Sequence, residues 1–316
     1  MPTVVVNHDL PIADALDGRC EGLSVVSTSS NEDTVSALSD AEFLVCSSGG
    51  WNDSYLEGLG TGDWVQATSA GYDAFPIEEF RDRGVRFTNA TGIHDPVVAE
   101  HVFALAFAFS RMIPEFVTKQ ADRVWGPRTE VSVELTDWTD RTVTVYGLGS
   151  IGEAIAERAL AFGSDVYGVK RNPAEYDGSL SADRVLGSGE LYDVLPETDL
   201  LVAIVPLTEE TRGSIDASVF EALPDSALLV NVARGPVVDE AALLDALQSG
   251  EIAGAGLDVF ETEPLPEESP LWDRDDVLIT PHIGGRSNTF PDRFAALFAE
   301  NYGRWQEDDE LRNQIA

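Results

Sequence analysis

The sequence predicts an α/β protein made of two doubly wound domains with parallel sheets. Three observations carry that reading. Short β-branched runs alternate with helix-like stretches through the N-terminal part of the chain. A second alternation of the same kind begins at residue 142 and runs to residue 279. Between them, 97–109 is apolar almost throughout and too long for a strand. Strands that alternate with helices form parallel sheets, because each parallel pair needs a crossover connection.

In order, residues 3–6, 23–26, 43–46, 64–67 and 86–88 read as strands, with helices at 12–16 and 34–38 between them. Ser47-Ser48-Gly49-Gly50 directly follows the third strand, and the carboxyl end of a parallel strand is where ligands sit. Segment 97–109 reads as a helix that must be buried against other elements or another subunit. A polar arm containing Trp125 and Trp138 follows. The second cycle places strands at 142–146, 165–169, 200–204, 227–232, 254–259 and 277–279, and a helix at 151–162. Residues 290–305 have helical apolar spacing and can return to the N-terminal domain.

Composition narrows the function classes. The 316 residues hold 56 Asp or Glu against 20 Lys or Arg, a formal net charge of −36, with 43% hydrophobic residues. That apolar fraction supports a full core, so the charge does not imply disorder. The charge repels phosphate, so no nucleic-acid partner is expected. The longest apolar stretch, 102–109, is far short of the roughly 20 residues that span a bilayer, and the N-terminus lacks a secretory pattern. No membrane partner and a cytoplasmic location are expected. Lys119 and Lys170 are the only lysines, and a carboxylate-rich, lysine-poor surface suits a salty cytosol, where screening falls to about 3 Å at 1 M salt. The expected source is a halophilic archaeon. Cys20 and Cys46 lack a Cys-x-x-Cys spacing, and Glu307-Asp308-Asp309-Glu310 reads as a solvated tail, so no metal site is expected.

Gly147-Leu148-Gly149-Ser150-Ile151-Gly152 follows a β-branched strand and opens a helix. In that context G-x-G-x-x-G predicts a pyrophosphate-binding turn: Gly147 for the tight turn, Gly149 for close approach to N–H groups at the helix end, and Gly152 for helix–strand contact. An acid about 20 residues later would hold a ribose diol. Lys170-Arg171-Asn172 stands there instead, and cations attract a 2′-phosphate. The expected cofactor is NADP(H), with NAD(H) bound less tightly. His8, His94, His101 and His282 are the histidines. His101, in the apolar helix, reads as a core or interface residue. His282, in Thr280-Pro281-His282-Ile283-Gly284-Gly285, follows a strand and faces a ligand cleft. Arg234 follows another strand and can clamp a carboxylate bidentately.

These motifs together resemble the D-2-hydroxyacid dehydrogenase family: the glycine turn, the run Pro206 to Arg212, Asn231-Val232-Ala233-Arg234-Gly235, Leu257-Asp258-Val259-Phe260 with Glu263-Pro264, and the His282 segment. The resemblance implies that His282 is the acid/base, that Glu263 pairs with it and keeps imidazolium available, and that Arg234 binds the substrate carboxylate and polarises the carbonyl. Cofactor contacts are expected at Gly147, Gly149, Ser150, Ile151, Gly152, Pro206, Thr211, Val232, Ala233, Asp258 and Gly284, with Asp258 near the nicotinamide amide by resemblance, and at Lys170, Arg171 and Asn172 by their place after the strand and the charge of the two cations. Ser48 and Gly49 match the loop that holds the substrate carboxylate.

It further implies a Rossmann-like cofactor domain, 94–288, inserted into a substrate domain of 1–93 completed by 289–316. The helix and arm at about 95–138 resemble a dimerisation element, which implies a homodimer. The implied reaction is reversible hydride transfer between NADPH and a 2-keto carboxylate, a small-molecule substrate. Alternatives are a dedicated glyoxylate/hydroxypyruvate reductase or, in another class, a dinucleotide-sensing regulator on the same fold. A phosphoglycerate dehydrogenase usually carries a C-terminal regulatory domain, for which this chain is too short. A formate dehydrogenase usually has Gln where Glu263 stands. Two departures stand out: Lys170-Arg171-Asn172 replaces the common Asp, and the Ser47-to-Trp51 loop differs from commoner versions.

Overall fold

The computed structural model describes residues 1–125 and 135–316, so the middle of the expected arm, 126–134, lies outside the described residues. The chain divides into two compact units, Met1–His94 with Arg286–Ala316, and Asp95–Gly285. In chain order the elements are β1 (Thr3–Asn7), α1 (Ile12–Leu16), β2 (Ser24–Thr28), α2 (Asn31–Leu38), β3 (Phe43–Cys46), β4 (Trp64–Ala67), α3 (Ile77–Arg83) and β5 (Arg86–Thr88). There follow α4 (Asp95–Ser110), α5 (Ile113–Ala121), β6 (Thr142–Tyr146), α6 (Ser150–Ala161), β7 (Asp165–Val169), β8 (Val185–Leu186) and β9 (Leu200–Ala203). The rest are α7 (Ala217–Ala222), β10 (Leu228–Asn231), α8 (Glu240–Ser249), β11 (Gly254–Leu257), β12 (Val277–Ile279) and α9 (Phe290–Gln306).

Both sheets are doubly wound and parallel, as expected from the alternation. In the first unit the order is β2-β1-β3-β4-β5, and the order reverses between β1 and β3. The loop Ser47–Gly50 leaves β3 at that switch point, where open parallel sheets bind ligands. One face of this sheet packs on α1 and α9: Phe290, Phe294, Phe298 and Tyr302 recur every fourth residue of α9 and meet Phe43 and Trp64. Phe43 lies edge-on to Trp64, Phe298, Tyr302 and Trp305, while Trp64 and Phe298 stack at 4.6 Å. Such aromatic pairs add about 0.5–1.5 kcal/mol each beyond burial.

In the second unit the order is β12-β11-β10-β9-β6-β7-β8, with its switch point between β6 and β9. Alternate residues of β9 serve opposite faces: Leu201 and Ala203 enter one core, Leu200 and Val202 the other. α4 supplies the second core with Ala99, Val102, Phe103, Leu105 and Ala106, which pack on Val143, Ile155, Ala156 and Val230. Glu100 and Ala104 are exposed, so this helix has an inner and an outer side, despite its almost uniformly apolar sequence.

The sequence pattern leaves several elements unmarked. Caps define two of them: Asp216 accepts the Ser218 and Val219 N–H groups to start α7, and Asp239 accepts the Ala242 N–H to start α8, which ends at Gly250 with φ 77°. Such caps contribute about 0.5–2 kcal/mol each. The arm also begins as a helix: α5 is bent 66° from α4, with Met112 at φ 52° and Pro114 in the first turn. Among the described residues, no single helix is long and apolar enough to cross a membrane.

Candidate active site

The glycine turn occupies the β6/β9 switch point and is shaped by close contact. Gly147 has φ 119°, and a Cβ there would lie 2.4 Å from the Ile204 carbonyl oxygen. A Cβ on Gly152 would lie 2.1 Å from the Gly147 carbonyl oxygen, so helix and turn meet backbone to backbone. At Gly149, by contrast, an added Cβ would meet nothing within 4 Å. Gly149 is the N-cap of α6 and supplies no side-chain cap, so the positive helix end, with Ser150, Ile151 and Gly152 in its first turn, opens onto that space. A hemmed turn with an open side at a helix start fits a dinucleotide pyrophosphate. The Gly147 and Leu148 N–H groups donate to the Val169 carbonyl and tie the turn to β7.

The three polar residues after β7 separate in role. Lys170 Nζ donates to the Leu148 carbonyl at 3.2 Å, bracing the turn itself. Its charge also acts on Glu153 in the first turn of α6. Burial pushes the Glu153 carboxyl up, but hydrogen bonds from Ser179 and Tyr176, with help from Lys170, hold it below its usual value. Arg171 is the exposed cation of the pair, its side chain 69% accessible and 4.0 Å from Glu210. Asn172 donates to Glu175 at 3.3 Å.

Further along the same edge, Arg234, Asp258 and His282 follow β10, β11 and β12. Buried Asn231 shapes the first of these loops: its Oδ1 accepts the Ala233 N–H and its Nδ2 donates to the Arg234 carbonyl. The Val232 N–H donates to the Ala203 carbonyl and extends the pairing of β10 with β9 by one residue. The Arg234 guanidinium donates to the Ala233 carbonyl at 2.8 Å. A Cβ on Gly235 would lie 1.8 Å from the Phe260 carbonyl carbon, so the Arg234 loop and the loop leading to Glu263 touch backbone to backbone. His282 Nδ1 lies 2.7 Å from Glu263 Oε2, while Glu263 Oε1 accepts the Phe260 N–H. The imidazole is half exposed.

Asp258 is buried beneath this pair. Its Oδ1 accepts from Thr280 Oγ1 at 2.6 Å and from the Ile283 N–H at 2.9 Å, and its Oδ2 accepts the Gly284 N–H at 2.8 Å. His101 Nε2, on α4, is 2.9 Å from Thr280 Oγ1 and 3.4 Å from Asp258 Oδ1. Burial raises the Asp258 carboxyl, but hydrogen bonds from His101, Thr280, Ile283 and Gly284 outweigh it and hold the group below the usual Asp range.

A match to the family described as "D-isomer specific 2-hydroxyacid dehydrogenase, NAD binding domain" covers residues 103–284. The glyoxylate/hydroxypyruvate reductase B of Escherichia fergusonii is 34% identical over 308 residues, 95% of this chain and 93% of that protein. This chain belongs to the D-isomer specific 2-hydroxyacid dehydrogenase family. It is an oxidoreductase acting on CH–OH donors with a nicotinamide cofactor. A family member from Aeromonas salmonicida superposes with a TM-score of 0.87 at 31% identity, covering 100% of this chain and 99% of that one. Another, from Xanthobacter autotrophicus Py2 in complex with NADPH and MES, gives 0.81 at 30% identity, with 100% and 98% covered.

In this family member, the residues singled out from sequence fall into separate groups. His282, Glu263, Asp258 and Gly284 form one bonded cluster, and the glycine turn forms another with Lys170. Thr211 closes the loop after β9, its hydroxyl donating to the Pro206 carbonyl at 2.6 Å. Ser48 and Gly49 belong to the first unit, in a tight turn whose Ser47 hydroxyl accepts the Gly50 N–H. His101, expected in the core or at an interface, is partly buried, but its ring reaches the Asp258–Thr280 pair. Helical periodicity marks its face as inward and cannot show that a strand end 179 residues later supplies a hydroxyl there.

Because Asp258 is held below its unfolded value, it contributes stability above the ordinary Asp range of about 3.9, and that contribution is lost as pH falls through its folded value. Asp258→Asn should therefore lower the melting temperature at neutral pH. The gap between variant and parent should narrow progressively below about pH 4 when melting curves are compared across pH.

Proposed function

We propose that the protein is a D-2-hydroxyacid dehydrogenase that reduces 2-keto carboxylates with NADPH, reversibly, with His282, Glu263 and Arg234 as its catalytic group. The observation that carries this reading is the 2.7 Å contact of His282 Nδ1 with Glu263 Oε2 in the unit that bears the glycine turn. An ionised carboxylate only accepts, so Nδ1 carries a proton and Nε2 is left as the working nitrogen. In reduction His282 Nε2–H gives its proton to the carbonyl oxygen; in oxidation Nε2 takes it back from the hydroxyl. Glu263 balances the imidazolium charge and, fixed by the Phe260 N–H, sets the ring orientation. Arg234 binds the substrate carboxylate and draws charge onto the oxygen that becomes negative. The bound nicotinamide supplies or accepts the hydride. By resemblance alone, Ser48 and Gly49 in the first unit are carried as further substrate-carboxylate residues.

Among substrates, glyoxylate and hydroxypyruvate are favoured by the name of the Escherichia fergusonii relative. Preference for NADP(H) is supported by Arg171, the exposed cation where a diol-binding acid would stand, and by the NADPH in the Xanthobacter autotrophicus structure. The proposed setting is the cytoplasm of a salt-adapted cell, supported by the net charge of −36. A homodimer is supported by α5, whose Ile113, Phe116 and Val117 are exposed, with Val124 and the 97% exposed Trp125 beyond it.

His282→Ala should cut turnover about 10²- to 10⁴-fold with NADPH affinity within threefold of the parent, measured by NADPH oxidation and fluorescence titration in high salt. Retained turnover would refute the acid/base role. Arg171→Ala should weaken NADPH by roughly 10-fold and leave NADH nearly unaffected; equal losses would remove the case for a 2′-phosphate contact. Light scattering at several salt concentrations should give twice the chain mass, and a monomer throughout would reject the dimer.

A further inference from the structure

We propose that His101, Thr280 and Asp258 form a positioning clamp that sets the backbone of the loop presenting His282, an inference that rests on the acid/base role of His282. Three successive N–H groups of that loop end on one residue. The His282 N–H donates to the Asp258 carbonyl at 2.9 Å, the Ile283 N–H to Asp258 Oδ1 and the Gly284 N–H to Asp258 Oδ2. The need for three anchors is visible in the backbone. His282 has φ 52°, a left-handed conformation that is unfavourable for an L residue other than glycine and persists only where its surroundings impose it. Gly284 fits this account: a Cβ there would lie 2.9 Å from Asp258 Oδ2 and 3.2 Å from His101 Cδ2.

The side chains behind Asp258 have a single consistent proton arrangement. Thr280 has one hydroxyl proton and gives it to Asp258 Oδ1 at 2.6 Å. His101 Nε2, 2.9 Å from the same hydroxyl oxygen, must then be the donor. The chain of donors runs from His101 on α4, through Thr280 after β12, and ends on Asp258 after β11, which also accepts the N–H groups of the loop that carries His282. Both carboxylate oxygens of Asp258 are engaged within the protein. Its task is thereby assigned to the loop, which goes beyond the nicotinamide contact implied by resemblance. A displacement of about 1 Å in a catalytic group is enough to cost on the order of 100-fold in rate.

The test compares hydroxyl removal with hydroxyl retention. Thr280→Val keeps the shape and removes the donor; Thr280→Ser keeps the donor. With NADPH and glyoxylate, hydroxypyruvate or pyruvate as substrate, Thr280→Val should lower kcat about 10- to 100-fold, with KM and NADPH affinity within threefold. Thr280→Ser should restore at least half of the parent kcat. Should Thr280→Val fold poorly, His101→Leu and His101→Gln make the same comparison, because Gln retains an N–H donor. A parent-like kcat in the variant lacking the donor, or equal loss in both members of a pair, would overturn the clamp. Loss of turnover in His282→Ala beside normal turnover in Thr280→Val would overturn the clamp alone. Turnover surviving His282→Ala would overturn the acid/base reading and the clamp with it.

Discussion

Parallel pairing is the constraint on which the second unit depends. Because β6, β7, β10, β11 and β12 all run the same way, every one of their carboxyl ends opens onto the same edge of the sheet. The glycine turn, Lys170 and Arg171, Arg234, Asp258 and His282 are the residues that leave those ends. An antiparallel strand would have carried its loop to the opposite edge. Register then orders the loops along that edge: Asn231 pairs with Leu257, and Leu257 with Ile279, so the segments carrying Arg234, Asp258 and His282 start level with one another.

Close backbone approach converts that alignment into a working arrangement. Gly147 meets the Ile204 carbonyl, Gly152 meets the carbonyl of Gly147, and Gly235 meets Phe260, each at a distance no side chain allows. Between the hemmed positions, Gly149 stays open at the start of α6. The same turn is braced by Lys170, whose ammonium is committed to Leu148 and whose charge is shared with Glu153. Its neighbour Arg171 projects into solvent, where a phosphate can reach it. Two adjacent cations in an acidic chain thus differ in setting, one bonded inside the turn and one exposed to solvent.

Burial divides the acids in a similar way. Most of the 56 carboxylates lie on the surface, where water and salt reduce their mutual repulsion. Asp258 is buried and remains below its usual range because several donors converge on it. Glu263 is partly exposed and faces His282. One carboxylate therefore holds a backbone and the other orients a ring, although both follow β11 within a few residues.

By itself, the sequence determined the α/β class, the glycine turn and the family, because period-2 and period-3.6 patterning and ordered local motifs are written in neighbouring residues. It also marked His282, Glu263, Arg234 and Arg171 by their places after strands. Only the tertiary structure decided what Lys170 and His101 do, since their partners, the Leu148 carbonyl and Thr280, come from other elements brought close by folding. α7 and α8, by contrast, start at the caps Asp216 and Asp239, which are signals written in neighbouring residues. Local patterns fix which way a side chain faces; which partner waits there depends on strand order and register, and those are properties of the whole chain.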